Sequence, residues 1–272
     1  MADDTNLDRR FDSILRTQES KLERKLRSNF NKLSRQMQQA FLDSGQMGAD
    51  VVVAKNDEAL ASILLAAYKS GVAAGSGFAF NQVEEKDKKK QKALSDEALQ
   101  VLTSQLTIEA IETAQQINRT TMKIYLQISL EVEQEQKSHQ EIETKGIRDF
   151  FGAAFSKVKE IAKRLKNRNF TRARTISTTE AQSGIQNGIE TSAEVMNQQA
   201  LVVLKKTWRS QGDSRVRDSH ARVNGQTKEI GEFFLVGRGR GRRPLDKSLP
   251  IEEVANCRCY IKLSKHSIIT EI

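Results

Sequence analysis

Apolar residues recur every three or four positions near the N-terminus, and polar or charged residues fill the positions between them. The apolar set is Leu7, Phe11, Ile14, Leu15, Leu22, Leu26, Phe30, Leu33, Met37 and Phe41. This spacing places them on one face of an α-helix and predicts a helix over residues 7–43. Turn-forming residues from Asp43 to Gly48 predict its end. The apolar face needs a partner, so the helix packs either within the chain or on another subunit.

The helical pattern continues beyond this first segment. Residues 60–68 are mostly apolar and predict a buried helix, which the glycine-rich residues 71–77 would end. The charge run at residues 84–92 predicts an exposed linker or helix end. Residues 95–144 contain neither Gly nor Pro, so they predict one long helix or two helices that break near residues 118–121.

The pattern changes towards the C-terminus. Gly146 marks a predicted boundary, and a basic amphipathic helix is predicted over residues 157–174. The sequence Ser177-Thr-Thr-Glu180 matches a capping box and predicts the start of a further helix. Apolar runs at residues 201–208 and 256–263 predict strands.

These elements predict an α+β fold, in which a mostly α-helical N-terminal half with long helices precedes a small α+β domain. We place the boundary between a helical assembly or docking region, residues 1–145, and a basic domain, residues 146–272. The composition favours long solvated helices, because 29% of the residues are charged, 6% are aromatic and only two are Pro.

The composition also narrows the expected compartment. The chain has no continuous apolar run of about 18 residues, so we expect no membrane span. Its first residues are acidic and polar, unlike a signal peptide. Two cysteines separated by one residue make a poor disulfide framework, and we expect a chain made in the cytosol.

The positive charge is concentrated in one part of the chain. The last 122 residues contain 23 Lys and Arg against 12 Asp and Glu, whereas the whole chain carries a net charge of +9. This asymmetry indicates contact with a polyanion or with an acidic protein face, although a merely solvated surface has the same pattern. The candidate phosphate contacts are Lys163 and Arg164 in the basic helix, and Arg238, Arg240, Arg242 and Arg243 in a Gly/Arg-rich stretch.

The Gly/Arg-rich stretch, Val236–Pro244, predicts a flexible cationic loop. Its arginines are suited to bidentate contacts with phosphate, and binding through them would not depend on base sequence. The alternative is a disordered surface insertion with no ligand.

The stretch from Trp208 to Cys259 contains the only Trp, both Cys and both Pro of the chain. A Trp, a polar turn, Asp-x-Arg-x-Arg-x-x-His, an Asn-Gly pair and Asn-Cys-Arg-Cys follow one another in this order. The motif residues are Trp208, Asp213, Arg215, Arg217, His220, Gly225, Asn256, Cys257 and Cys259. From about Thr171 to Leu263 the chain resembles the phage head-morphogenesis family, which comprises minor capsid proteins similar to protein F of phage Mu.

Three interpretations of His220 are open. It is a structural residue that hydrogen-bonds within the core, a catalytic base, or a metal ligand together with Cys257 and Cys259. The metal interpretation rests on strand geometry, since residues two apart face the same side.

On such a strand both cysteines would face inward, and Arg258 and Tyr260 would face outward. Zinc takes four ligands, so Asp213 or Asp218 would have to supply the fourth. The alternative is that the two cysteines only fill core volume and no cofactor is bound.

The resemblance implies a minor capsid protein that acts in head morphogenesis of a tailed bacteriophage. It further implies a place at the portal vertex of the virion, assembly in the host cytoplasm, and portal, other head proteins and packaged DNA as partners. We expect no enzyme activity, and the thirteen residues after Cys259 leave no room for the toxin or enzyme domain that some family members carry there. Two alternatives remain: a metal-dependent nuclease built on Asp218, His220 and Asn224, and a non-specific DNA-binding protein.

Overall fold

The structure is a computed structural model, and it describes residues 2–83, 88–139, 147–199 and 203–266. Three long helices come first: α1 (Ala2–Val83), α2 (Lys88–His139) and α3 (Ile147–Gln199). The shorter elements follow in the order β1 (Val203–Arg209), α4 (Asp218–Val223), β2 (Thr227–Glu229), β3 (Phe234–Val236), β4 (Gly239–Gly241), α5 (Ile251–Val254) and β5 (Tyr260–His266). The predicted α+β class is confirmed.

The strands form two antiparallel sheets. In the first, β1 lies between β2 and β5, and Thr207 pairs with both Thr227 and Lys262. The second is the β3–β4 hairpin, in which Phe234 pairs with Gly241. Alternate residues of β1 face the core, as expected for a strand with one buried side.

The described chain divides into two compact units, and each takes segments from all three long helices. The sheet unit comprises Met1–Leu22, Leu65–Thr107 and Thr175–Ile272. The helical unit comprises Glu23–Leu64 and Ile108–Arg174. The boundary predicted between residues 145 and 146 falls within residues 140–146, which lie outside the described residues. It therefore stays a prediction.

The apolar stripe of the first predicted helix packs within the chain in both units. In the sheet unit Phe11 and Leu15 belong to the same core as Trp208. In the helical unit Leu33 and Met37 are buried against residues of α2 and α3.

The predicted helix ends at residues 43–48 and 71–77 are wrong, because α1 continues through both. For residues 95–144 two alternatives were open, and the described part, up to His139, follows the continuous helix, because α2 runs through residues 118–121 without a break. The capping box at residues 177–180 lies inside α3 rather than at its start, and Ser177 is buried.

Glycines in α1 and α3 do not break these helices; they let the two helices approach each other. A Cβ atom added at Gly75 would lie 2.1 Å from the carbonyl oxygen of Ile185, and one at Gly188 would lie 2.3 Å from that of Val72. Backbone therefore occupies the space that any larger residue would need. The buried face of α3 contributes Ile185, Ile189 and Ala193 to the sheet unit's core.

One stretch of the described residues, Asp50–Val83 in α1, is long and apolar enough to cross a membrane by length and composition alone. Within the protein, 56% of its most apolar window is buried. Because a core helix of a water-soluble protein passes the same test, the stretch is weak evidence for a membrane span.

Candidate metal centre and cationic hairpin

His220, Cys257 and Cys259 meet in the sheet unit. His220 lies in α4, and the two cysteines lie in the extended segment between α5 and β5. All three side chains are buried, with exposed fractions of 2%, 1% and 3%. The pairing of Arg209 with Tyr260 in β1 and β5 brings Cys259 beside the end of β1.

The spacing of the three side chains suits a tetrahedral metal ion. His220 Nδ1 lies 3.3 Å from Cys259 Sγ and 3.6 Å from Cys257 Sγ. The possible ligand atoms all lie within 4.8 Å of one another, and both cysteines are free thiols. Ligand bonds of about 2.3 Å to sulfur and 2.0 Å to nitrogen give tetrahedral edges of about 3.5 Å. The group could therefore hold a metal ion after small adjustments.

The two thiols influence each other because they share a buried site. A hydrogen bond with Cys259 lowers the pKa of Cys257, and the His220 ring acts in the same direction. The same hydrogen bond and burial raise the pKa of Cys259. One sulfur of the pair is thus favoured to carry negative charge, as a cation ligand must.

Helix α3 holds the cysteine segment through the main chain. Gln182 and Gln186, one turn apart and both buried, donate side-chain hydrogen bonds to the carbonyl oxygen of Cys259 at 2.5 and 3.3 Å. The backbone N–H of Asn256, whose φ is 56°, donates to Thr179 Oγ1 at 3.2 Å. Sequence analysis missed both glutamines; the only signal was a pair of amides four residues apart on the inward face of α3.

Several other motif residues pack around or bond next to the His220, Cys257 and Cys259 group, although they are not candidate metal ligands. The Trp208 ring packs edge-on to His220, with ring centroids 5.6 Å apart. Gly225 adopts a φ of 82° in the turn after α4, and its N–H donates to the Trp208 carbonyl oxygen at 2.8 Å. Arg217 donates to the carbonyl oxygen of Ala255, next to the cysteine segment.

The two cysteines lie just before β5 rather than on it, but both face inward as predicted. The predicted outward orientation of Tyr260 is wrong. Its ring is fully buried and stacks on Phe11 with centroids 4.4 Å apart, and its hydroxyl donates to Asp8 at 2.5 Å.

Neither aspartate that was considered as a fourth ligand joins the group. Asp213 accepts hydrogen bonds from Arg258 at 2.7 and 2.6 Å and pairs with Arg215 at 3.0 Å. The Arg258 contact lowers the pKa of Asp213 to about 2. Asp218 is exposed at the start of α4. Among the described residues, the metal-ligating group contains His220 and the two cysteines alone.

Glu253 is the acidic residue that the sequence did not single out. Its Oε2 atom lies 3.1 Å from His220 Nε2, on the side of the ring opposite the thiols. A cavity of about 10 Å³, close to the volume that one water molecule needs, borders His220 and the cysteines on another side.

The residues proposed for a nuclease do not converge. His220 directs Nδ1 at the thiols and Nε2 at Glu253, so neither nitrogen faces Asp218. Asn224 Oδ1 accepts a hydrogen bond from the backbone N–H of Ser210 at 2.9 Å. This arrangement does not favour hydrolysis at these three residues.

The Gly/Arg-rich stretch is an ordered hairpin and not the flexible loop that we predicted. Phe234 and Val236 of β3 are buried, and Leu235 between them is 70% exposed. Arg240 and Arg242 place their guanidinium groups 5.2 and 5.6 Å from the ring centroid of Phe233, which is partly exposed.

The prediction that Arg243 contacts phosphate is wrong, because its side chain points inward. Its Nε atom lies 3.1 Å from Glu190, another nitrogen bonds to Asn187, and the residue is 7% exposed. It is therefore not available to a polyanion, whereas Arg238, Arg240 and Arg242 are exposed.

Lys163 and Arg164 lie in the helical unit. Arg164 bonds to Glu135 at 2.7 Å and to Glu160 at 3.0 Å, and the hydrogen bond with Glu135 is the main cause that raises its pKa. Lys163 is largely exposed, with Glu160 at 3.9 Å. Arg164 already has acidic partners, so Lys163 is the more accessible of the two cations.

One of the comparisons with known proteins finds a match, and it covers the segment that contains this site. The family model described as Phage Mu protein F like protein matches residues 155–262. No curated protein and no solved structure matches the chain. The matched segment includes all nine motif residues and the whole His–Cys–Cys group, and it confirms the resemblance to this family.

Proposed function

We infer from the phage Mu protein F-like segment at residues 155–262 that this chain is a bacteriophage head-morphogenesis protein. The observation that carries the inference is that the segment matched by the family model contains the buried His220, Cys257 and Cys259 group. The matched segment supplies the residues of the site and the glutamines of α3 that hold it. No comparable match supports either alternative function.

We propose further that the protein is a minor capsid component at the portal vertex of the virion, with portal and other head proteins as partners. The resemblance supports this position, and the long helices offer extended polar surfaces to larger partners. The test is co-expression with the portal protein of the same phage, followed by affinity capture of the tagged chain. We expect the portal protein to be retained through washes in about 0.5 M salt, because salt at this concentration screens weak contacts between surface charges.

The capture has a matched control and a clear contrary result. The major capsid protein of the same phage, expressed alone with the tagged chain, measures non-specific retention. If the portal protein is retained no better than the major capsid protein, the portal position is overturned.

We propose that His220, Cys257 and Cys259 hold a zinc ion, with a solvent molecule as fourth ligand. Thiolate and neutral imidazole are ligands that zinc prefers, and the geometry requires only small adjustments. The ion would connect α4 to the segment before β5, which are distant in sequence. Native mass spectrometry should find one zinc per chain, and Cys257→Ser and His220→Ala should lose it.

His266→Ala is the matched control, because His266 is exposed in β5. It should keep the zinc. A folded wild-type chain without metal, after purification in zinc-containing buffer without chelator, would end the proposal.

We propose that the chain is not an enzyme. The nuclease alternative is tested with purified protein, plasmid DNA and either Mg²⁺ or Zn²⁺. We expect intact plasmid. Cleavage that His220→Ala abolishes would establish the alternative instead.

We propose that the exposed arginines of the β3–β4 hairpin contact packaged DNA without sequence preference. Arg238, Arg240 and Arg242 are exposed. The guanidinium groups of Arg240 and Arg242 lie over the ring of the neighbouring Phe233. Each phosphate contact contributes about 0.9 to the slope of log affinity against log salt concentration. Replacing the three arginines by alanine should therefore reduce this slope by about 2 to 3.

The control removes three exposed charges elsewhere in the sheet unit, by Lys69→Ala, Lys88→Ala and Lys92→Ala. It should leave the slope nearly unchanged. Equal slopes in all three proteins would assign the hairpin arginines to a solvated surface.

A further inference from the structure

His220 has acidic and sulfur-containing neighbours on opposite sides of its ring. The thiols lie near Nδ1, whereas Nε2 lies 3.1 Å from Glu253 Oε2. Nε2 has no aligned hydrogen-bond partner among the described residues, so this carboxylate is the acceptor that a small rotation would engage. The ring is thus placed between an anion and the thiol pair.

Glu253 is itself held in place. Ser219, the neighbour of His220 in α4, donates a hydrogen bond from Oγ to Glu253 Oε2 at 2.7 Å. The residue is 9% exposed, so the carboxylate is largely removed from solvent. A buried carboxylate is costly unless it is paired, and Ser219 and His220 are the groups beside it.

Gly237, in the turn of the β3–β4 hairpin, makes room for this carboxylate. A Cβ atom at Gly237 would lie 2.1 Å from Glu253 Oε1. Its φ of 58° is in the left-handed region, which favours glycine. The hairpin turn therefore lies next to Oε1 of Glu253, whereas Ser219 contacts Oε2.

The same short segment supplies the carboxylate and the thiols. Glu253 lies in α5, four residues before Cys257, and the Cys257 N–H donates to the Val254 carbonyl oxygen at 3.1 Å. This turn fixes the direction in which the chain leaves α5. One segment thus delivers Glu253 to Nε2 and the cysteines to Nδ1.

We propose that Glu253 is a positioning residue for the metal centre: its carboxylate accepts the Nε2–H of His220, so that Nδ1 is the atom that binds the metal. The inference rests on the proposed zinc centre. An imidazole ligand needs its second nitrogen fixed, because that contact selects both the tautomer and the ring orientation. Without Glu253, the ring would be free to turn Nδ1 away from the thiols.

The test compares Glu253→Gln with Glu252→Gln. Glu252 is the exposed neighbour in α5 and is a matched control for the loss of one charge. Zinc affinity is measured by competition with a chromophoric chelator at fixed pH. We expect Glu253→Gln to bind zinc about 10- to 100-fold more weakly than Glu252→Gln, as is found for such outer carboxylates.

Cobalt(II) supplies a readout that a general loss of stability would not change. In Glu253→Gln at saturating cobalt, we expect the thiolate-to-cobalt absorption to persist, since both cysteines remain. The ligand-field bands of tetrahedral cobalt should shift and weaken because the imidazole is less well placed. In Glu252→Gln both features should match the wild type.

The contrary outcomes are distinguishable. Wild-type protein that binds neither zinc nor cobalt overturns the zinc centre itself. Wild-type protein that binds zinc, with equal affinities and cobalt spectra in the two variants, overturns only the role of Glu253. If Glu253→Gln does not fold, Ser219→Ala replaces it; it should weaken zinc binding several-fold, and a wild-type affinity would overturn the inference.

Discussion

Glu190 shows how one side chain in α3 stabilises two buried cations. Its Oε1 lies 3.2 Å from Lys206 Nζ in β1, and its Oε2 lies 3.1 Å from Arg243 Nε. Burial lowers the pKa of Lys206, and Glu190 opposes this shift. The charged form of the lysine therefore depends on this carboxylate.

Replacing Glu190 with Gln should destabilise the protein strongly, because two buried cations would lose their counter-charge. We expect the free energy of unfolding to fall by about 3–5 kcal/mol, measured by chemical denaturation. Glu194→Gln is the control, since Glu194 is one turn further along α3 and pairs with the exposed Arg242 at 3.4 Å. Equal losses in the two variants would contradict the buried network.

The contact between Asp213 and Arg258 should make the stability of the protein depend on pH. The Arg258 contact holds the pKa of Asp213 at about 2, below its ordinary 3.8. A depressed folded-state pKa gives stability that is present above about pH 3.8 and is lost as the pH falls towards about 2. Asp213→Asn should therefore be less stable than the wild type near neutral pH, and the gap should narrow below about pH 4.

Denaturant unfolding at several pH values measures this gap. Asp218→Asn, at an exposed carboxylate of α4, is the comparison for the loss of one charge. A gap for Asp213→Asn that stays constant down to about pH 3 would mean that the Arg258 contact does not stabilise the fold.

The residues of the centre were predictable only in part. His220 and the Cys-x-Cys pair could be grouped because residue type and spacing suggest metal ligands. Glu253 could not be found, since its approach to His220 depends on Gly237 and on the path of the hairpin. The aspartates nearer in sequence were the wrong choice, because Asp213 is bound by Arg258 and Asp218 is exposed at the start of α4.

At the scale of elements, the glycines of α1 were read as helix breakers, and the structure uses them for helix packing. Propensity rules treat a glycine cluster as a turn because they see one helix at a time. The crossing partner, α3, carries its own Gly184 and Gly188 more than a hundred residues later. Only the pair of helices explains either cluster.

Gly75→Ala should destabilise the sheet unit. The added Cβ would meet the Ile185 backbone oxygen at 2.1 Å, and backbone cannot move aside as a side chain can. We expect a loss of about 1–3 kcal/mol, typical of overpacking, by chemical denaturation.

Gly77→Ala is the matched control in the same helix. Its Cβ would meet only the side-chain amide of Gln91, which can turn away. The gain in helix propensity, about 0.5–1 kcal/mol, should make this variant neutral or slightly more stable. If both variants behave alike, the close approach of α1 and α3 is not what requires glycine at position 75.

The hairpin shows a second limit of local patterns. The run Gly-Arg-Gly-Arg-Gly-Arg-Arg has no apolar residue, so it read as a loop. In the structure Gly239 and Gly241 pack against Leu249, and the partner strand supplies Phe234 and Val236 to the core. The ordering of the arginines therefore comes from tertiary contacts that lie outside their own segment.

At the scale of the whole molecule, the family match covers only part of the chain, whereas the core around it also includes residues of α1. Residues 155–262 match the phage Mu protein F-like model, and they contain the centre and the hairpin. Helices α1 and α2 lie outside the match, yet α1 contributes Phe11, Phe78 and Asp8 to the packing around Tyr260. The matched segment therefore depends on the N-terminal helix for part of its core.

The central claim is that this chain is a component of phage heads. Quantitative mass spectrometry of purified proheads and DNA-filled heads, from the phage that encodes the chain, tests it most directly. We expect peptides of the chain in at least one of these particles, at a small fraction of the amount of the major capsid protein. Peptides that are abundant in the infected cell but missing from both particles would contradict the account.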